Sequence, residues 1–193
     1  MSNVLTFNLK KWIGANFLGW LLGVVLILIL SSVLESAGIH DMQFYLGVGM
    51  GAGVGFMQWK ILKKLFQVNM NWIWFSILGL GVPFIIIDLL LSGIFEHKLP
   101  LSIALGGLLA GVLQNLLIKN QSSRSYLWIF ASFFGWILAV GTVFIIDYTN
   151  ELKLIVPNLF LAVINLMLIL LGGVVIGVVS GLGLRKILEG KDE

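Results

Sequence analysis

The fold is decided by a motif that recurs three times, as WIGANFLGW at residues 12–20, WIWFSILGL at 72–80 and WIFASFFGW at 128–136. Each copy reads W-I-x-x-[N/S]-x-x-G-[W/L]. The copies follow one another at a period of about 60 residues, which is typical of an architecture built from repeated units. The sequence therefore predicts three similar units before any single residue is considered.

A second motif follows each copy of the first, as GAGVGFMQ at residues 51–58, GLLAGVLQ at 107–114 and GVVIGVVS at 173–180. Glycines four residues apart lie on one helix face and let another backbone approach closely. Because the step recurs at matched positions, we predict that it packs helices together. The predicted packing residues are Gly51, Gly55, Gly107, Gly111, Gly173 and Gly177.

The composition indicates an all-α integral membrane protein. The chain is 59% hydrophobic and only 11% charged, whereas a soluble domain carries about 25% charge. The apolar runs are continuous rather than alternating, which favours helices over a barrel. We predict a single domain over residues 1–193 with six membrane spans, at residues 13–34, 44–61, 72–94, 101–118, 127–146 and 159–182.

Pairs of spans form three hairpin repeats, over residues 10–66, 67–123 and 124–190. All three have the same orientation, so we expect a pseudo-threefold axis along the membrane normal. Ten of the twelve Lys and Arg residues fall on one side of this arrangement, and only Lys98 and Lys153 fall on the other. The positive-inside rule then places both termini in the cytoplasm. The net charge of +3 reports topology and does not indicate nucleic-acid binding.

Aromatic residues near the basic side are typical of an interfacial belt. The predicted belt consists of Trp12, Trp59, Trp72, Trp74, Tyr126 and Trp128.

Polar residues recur at matched positions within the spans. At about 1.5 Å rise per residue they lie roughly 6–8 Å inside the basic boundary, so they predict one polar layer. The layer has two interpretations. It either clasps neighbouring helices through hydrogen bonds, or it lines a cavity for a polar ligand. Its members are Asn16, Ser76 and Ser132 on odd spans and Gln58, Gln114 and Ser180 on even spans, with Asn115 beside Gln114 as a further candidate.

An acidic residue, Asp88, follows the aliphatic run at residues 84–87 and is the candidate for binding an ion or a proton. Asn165 in the sixth span is its possible partner. The two histidines, His40 and His97, fall in loops on the less basic side, and the chain has no cysteine. We therefore predict no metal site and no cofactor.

The segment GFMQW at residues 55–59 resembles uncharacterised bacterial multi-spanning membrane proteins that contain triplicated G-x-x-x-G-x-x-Q hairpins. The resemblance covers most of the chain. It implies a location in a bacterial plasma or inner membrane and no particular function. The chain lacks H-E-x-x-H, G-x-S-x-G and P-loop signatures, so we do not expect an enzyme. Two functions remain open. One is an accessory or packing subunit that contacts lipid and other membrane subunits or itself, and the other is a small transporter or channel for a polar or cationic solute.

Overall fold

The computed structural model describes residues 7–39, 42–90, 98–151 and 156–190. Within these ranges the chain forms six α-helices and no strand, so the predicted all-α class is confirmed. The helices are α1 (Leu9–Ser36), α2 (Phe44–Leu65), α3 (Asn71–Leu90), α4 (Lys98–Ile118), α5 (Leu127–Glu151) and α6 (Asn158–Glu189).

Five of these helices are long and apolar enough to cross a membrane, which indicates a multi-pass membrane protein. The exception is α2, although the sequence predicted a span there. Its apolar stretch is diluted by the glycines at alternate positions from Gly47 to Gly55 and by Gln58 and Lys60. Glycine adds little to the mean hydropathy, so a glycine-rich helix has a lower mean hydropathy than another apolar helix of the same length.

The helices extend beyond the predicted spans at several ends. α1 begins at Leu9, where the Asn8 side chain accepts a hydrogen bond from Lys11 N at 3.1 Å and caps the helix. α6 continues to Glu189, seven residues past the predicted span. α3 is described as far as Leu90 and is continuous through Pro83. The predicted end of its span at residue 94 lies outside the described residues.

Each helix packs against the helices that precede and follow it, and α6 also packs against α1. The six helices therefore surround a common interior. We define the basic end as the end where α1 begins and α6 ends. The loop after α4 is held to its neighbours there, because Gln121 Nε2 donates to Phe66 O after α2 at 2.6 Å and Ser122 Oγ donates to Ile187 O of α6 at 2.7 Å.

Two clusters of buried apolar side chains fill this interior. The first surrounds Trp12, Trp72 and Trp128 near the basic end. The second surrounds Trp20, Leu80 and Trp136, eight residues further along each odd-numbered helix. At about 1.5 Å per residue, the two clusters lie roughly 12 Å apart along the bundle. The six residues of the predicted polar layer lie between the two clusters.

Candidate functional site

The polar layer is buried within the bundle. Its six side chains have relative exposures of 0–4%. Buried polar groups destabilise a membrane protein unless they are hydrogen-bonded. The partners of each side chain therefore decide whether the layer is a clasp or a binding surface.

Gln58 of α2 bridges the two helices beside it. Its Nε2 donates to Asn16 Oδ1 of α1 at 2.9 Å, and its Oε1 accepts from Trp72 Nε1 of α3 at 3.3 Å. Asn16 Nδ2 in turn donates to Trp12 O at 2.9 Å. The amide of Gln58 is thus used at both ends and joins three helices.

Gln114 of α4 makes the corresponding bridge between α3 and α5. Its Nε2 donates to Ser76 Oγ at 2.8 Å, and its Oε1 accepts from Trp128 Nε1 at 2.8 Å. Ser76 Oγ donates to Trp72 O at 2.8 Å, as Asn16 does to Trp12 O. The two glutamines therefore occupy equivalent positions and have equivalent partners.

The third copy differs because Ser180 of α6 is shorter than glutamine. Its Oγ accepts from Trp12 Nε1 of α1 at 3.0 Å, which preserves the indole bond of the other two copies. The same hydroxyl donates to Ile176 O of its own helix rather than to α5. On α5, Ser132 Oγ donates to Gly107 O of α4 at 2.8 Å. The layer is thus complete at two glutamines and reduced at the serine.

Three tryptophans assigned to the interfacial belt are instead part of the bundle interior. Trp12, Trp72 and Trp128 are almost fully buried. Their ring centroids lie 6.1 Å apart for Trp12 and Trp128 and 5.3 Å apart for Trp72 and Trp128. The belt assignment was wrong for these residues because their indole N–H groups bind the polar layer. Trp74 and Tyr126, by contrast, are exposed, as a lipid-facing belt requires.

The sequence did contain a signal for this inward orientation. Each of the three tryptophans precedes a layer residue by four positions, as Trp12 precedes Asn16. Residues four apart share one helix face, so an inward polar residue implies an inward tryptophan.

One glycine of each predicted pair packs directly on the layer residue of the next odd-numbered helix. A methyl group added at Gly55 would lie 2.6 Å from Ser76 Cβ, and one at Gly111 would lie 3.0 Å from Ser132 Cβ. The same addition at Gly177 would lie 2.9 Å from Ile13 Cα and 3.2 Å from Asn16 Cβ. These glycines bring the even-numbered helices close to the odd-numbered ones that supply the tryptophan donors.

The other glycine of each pair lies one turn away and makes a similar close contact. A methyl group at Gly51 would lie 2.8 Å from Ile77 Cα, one at Gly107 would lie 2.9 Å from Trp136 Cβ, and one at Gly173 would lie 2.7 Å from Trp20 Cβ. Real Cβ atoms essentially never approach this closely, so a larger residue at these positions requires the helices to separate.

The remaining polar candidates lie apart from the layer. Asp88 is half-buried, and its Oδ2 accepts from Gln43 N at the start of α2 at 2.7 Å. A carboxylate at a helix N-terminus interacts favourably with the helix dipole. Asn165 Oδ1 accepts from Thr149 of α5. Asp88 and Asn165 therefore contact different partners.

Asn115 is half-buried beside Gln114 but does not share its partners. Its Oδ1 has no hydrogen-bond partner among the described residues. His40 and His97 lie outside the described residues. In the described parts of the chain, no group of three or more His, Asp or Glu side chains is placed to hold a metal ion.

An apolar cavity lies within the second cluster, whose Trp20, Leu80 and Trp136 side chains line it, and we call it the axial cavity. Its volume is about 250 Å³, and all six helices contribute to its wall. None of the six layer residues lines it. The polar layer and the axial cavity are thus separate features of the bundle interior.

No protein-family description, curated protein or solved structure matches this chain. The function is therefore argued from the residues themselves.

Proposed function

We propose that this protein is a non-enzymatic, multi-pass membrane protein that acts as a packing or accessory subunit of a membrane complex. Its architecture is three hairpin repeats, over residues 10–66, 67–123 and 124–190, around a pseudo-threefold axis along the membrane normal. Matched positions with matched contacts support the repeats. Gln58 and Gln114 have equivalent partners, and Gly55, Gly111 and Gly177 each pack on the next odd-numbered helix.

In this proposal α2 also crosses the membrane, which brings the number of spans to six. Its 22 residues reach about 33 Å at 1.5 Å per residue, which exceeds the hydrocarbon thickness of about 30 Å. Five of its glycines are buried against neighbouring helices rather than exposed to lipid. Their weak hydropathy is therefore no obstacle to crossing.

The proposed orientation places the basic end in the cytoplasm of a bacterial cell. Ten of the twelve Lys and Arg residues belong to that side by sequence position. Lys and Arg residues beside membrane spans favour the cytoplasmic side. The resemblance to bacterial proteins with triplicated G-x-x-x-G-x-x-Q hairpins is consistent with this location.

The observation that carries the proposal is that the glutamine side chains of the polar layer are hydrogen-bonded to other protein groups. The amide groups of Gln58 and Gln114 bond protein partners at both ends, and the indoles of Trp12, Trp72 and Trp128 fill the interior beside them. A polar solute that moved along the axis would have to break these bonds. This bonding favours the clasp over the binding surface, and a clasp supports a packing role.

The surface of the bundle supports contacts with lipid and with other membrane helices. Large apolar side chains are exposed along its length, among them Leu28, Leu89, Leu159 and Met167. Membrane helices associate through packing rather than through a hydrophobic driving force, so such a surface serves either lipid or a partner subunit.

The experiment is native mass spectrometry of the protein purified in a mild detergent. We expect a second polypeptide or a second copy of this chain in fixed stoichiometry. Gln58→Leu should retain this partner, because the layer lies in the interior. If the protein carries a polar solute and no polypeptide, and if Gln114→Leu abolishes solute flux in vesicles without loss of stability, the transport alternative is correct and the proposal is wrong.

A further inference from the structure

The axial cavity begins at a floor of two stacked indoles. The ring centroids of Trp20 and Trp136 lie 5.9 Å apart with an interplanar angle of 27°. The third matched position is Leu80, whose smaller side chain also lines the cavity. Gly172 lets the Trp20 indole pack closely against α6, since a methyl group at Gly172 would lie 2.5 Å from Trp20 Cζ2.

The walls above this floor are apolar throughout. They include Val24, Phe84 and Val140 at one set of matched positions, and Gly47, Ile103 and Ile169 at another. The cavity extends as far as Leu46 and Leu99, which lie in the first turns of α2 and α4. Its lining is buried at Ile103 and Phe84 but only half-buried at Leu46 and Leu99, so the lining becomes more exposed toward the end opposite the basic end.

One of the lining residues, Trp20, has a polar group without a partner. Trp20 Nε1 is buried and has no hydrogen-bond partner among the described residues. Leaving a buried donor unpaired is unfavourable, whereas an acceptor that reaches it is stabilising.

The size of the cavity suits a small apolar molecule. A dry apolar cavity of about 150 Å³ takes up benzene, and this one has a volume of about 250 Å³. Walls that lack a packing partner forgo dispersion contacts, so an occupant that fits stabilises the fold. A charged headgroup is disfavoured because no described lining residue carries a charge that would compensate its desolvation.

We propose that the axial cavity binds a lipid-soluble molecule that presents one carbonyl oxygen on an apolar frame, with Trp20 Nε1–H as the donor to that oxygen. Trp20 and Trp136 supply aromatic surface against which a ring packs. The surrounding aliphatic side chains fix its position. This site is independent of the partner subunit proposed above.

Two probes isolate the hydrogen bond. 2-Acetylnaphthalene and 2-ethylnaphthalene have nearly the same shape, and only the first has a carbonyl oxygen. Each is added at the same membrane concentration to the protein in nanodiscs, and the dissociation constant is obtained from the rise in melting temperature. We expect the ketone to bind wild-type protein about fivefold to tenfold more tightly, as one hydrogen bond allows.

Three variants locate the site. Val140→Phe places in α5 the ring that Phe84 already supplies at the matched position of α3, so it should fill the cavity and weaken both probes at least tenfold. Leu138→Phe makes the same kind of change on the exposed face of α5 and should bind both probes as wild type does. Trp20→Phe removes the donor and should equalise the two probes.

Equal affinity of wild type for the two probes would overturn the hydrogen bond. Unchanged binding by Val140→Phe would overturn the location. If Trp20→Phe does not fold, the ratio of the two probes in wild type still decides the first point and the pair Val140→Phe and Leu138→Phe decides the second.

Discussion

Trp12 and Trp20 lie two turns apart on the same face of α1, yet their surroundings differ. Trp12 donates its indole N–H to Ser180 across the helix interface. Trp20 lines the axial cavity, and its N–H is unpaired among the described residues. The polar layer is thus a region whose groups bond each other, and the axial cavity is a region where the indole donor of Trp20 has no described partner. The difference separates a structural use of a buried polar group from a binding use.

The proposed orientation places the basic end of the bundle in the cytoplasm. Cysteine labelling tests this orientation, because each introduced cysteine is either labelled or not. Because the chain has no cysteine, single cysteines can be introduced at Lys64, near the basic end, and at Ser36, where α1 ends. In intact cells, an impermeant maleimide should label the Ser36→Cys protein and leave the Lys64→Cys protein unlabelled. Labelling at Lys64 would reverse the orientation.

The close contact behind the polar layer should give the largest effect on stability. Gly55→Leu has to displace Ser76 and its helix, so we expect a loss of about 3 kcal/mol in the free energy of unfolding in detergent. Gly14→Leu is the matched control, because a methyl group at Gly14 meets no atom within 4 Å. Equal stability of the two variants would show that the glycine contact does not hold the helices together.

The glutamine bridges should give an intermediate effect. Gln58→Leu leaves Asn16 Oδ1 and Trp72 Nε1 without their partner, and we expect a loss of about 1–2 kcal/mol by denaturant unfolding in mixed micelles. Ser180→Ala removes a single indole acceptor and should lose less, about 1 kcal/mol. A larger loss for Ser180→Ala than for Gln58→Leu would contradict the view that the third copy is the reduced one.

The contact of Asp88 should give the smallest effect. Asp88→Asn keeps an acceptor for Gln43 N but removes the charge at the start of α2, so we expect a loss of about 0.3–1 kcal/mol. A change in solute flux in reconstituted vesicles, with stability unaltered, would instead support the transport alternative.

The sequence predicted those features that depend on local spacing. The helical class follows from the continuous apolar runs, and the shared inward face of Trp12 and Asn16 follows from their spacing of four residues. The partners of the layer did not follow, because hydrogen bonds such as Gln114 to Ser76 depend on how separate helices pack. The cap that Asp88 provides to α2 joins residues 45 positions apart and has no local signal.

The axial cavity was not predicted because it depends on where side chains are small. At the floor, the matched residues read Trp, Leu and Trp at positions 20, 80 and 136, and the wall has Gly47 where the other repeats have isoleucine. These breaks in the repeat were visible in the sequence. Whether they leave a cavity depends on how all six helices pack, which the sequence alone does not show.

The central claim is that the polar layer holds the bundle together while the axial cavity binds a ligand. Thermal unfolding of wild type, Gln114→Leu and Val140→Phe, each with and without 2-acetylnaphthalene, tests it most directly. We expect Gln114→Leu to melt at a lower temperature but to be stabilised by the ketone as wild type is. Val140→Phe should melt near wild type and gain nothing from the ketone. The opposite pattern, in which Gln114→Leu loses the response to the ketone and Val140→Phe keeps it, would contradict the account.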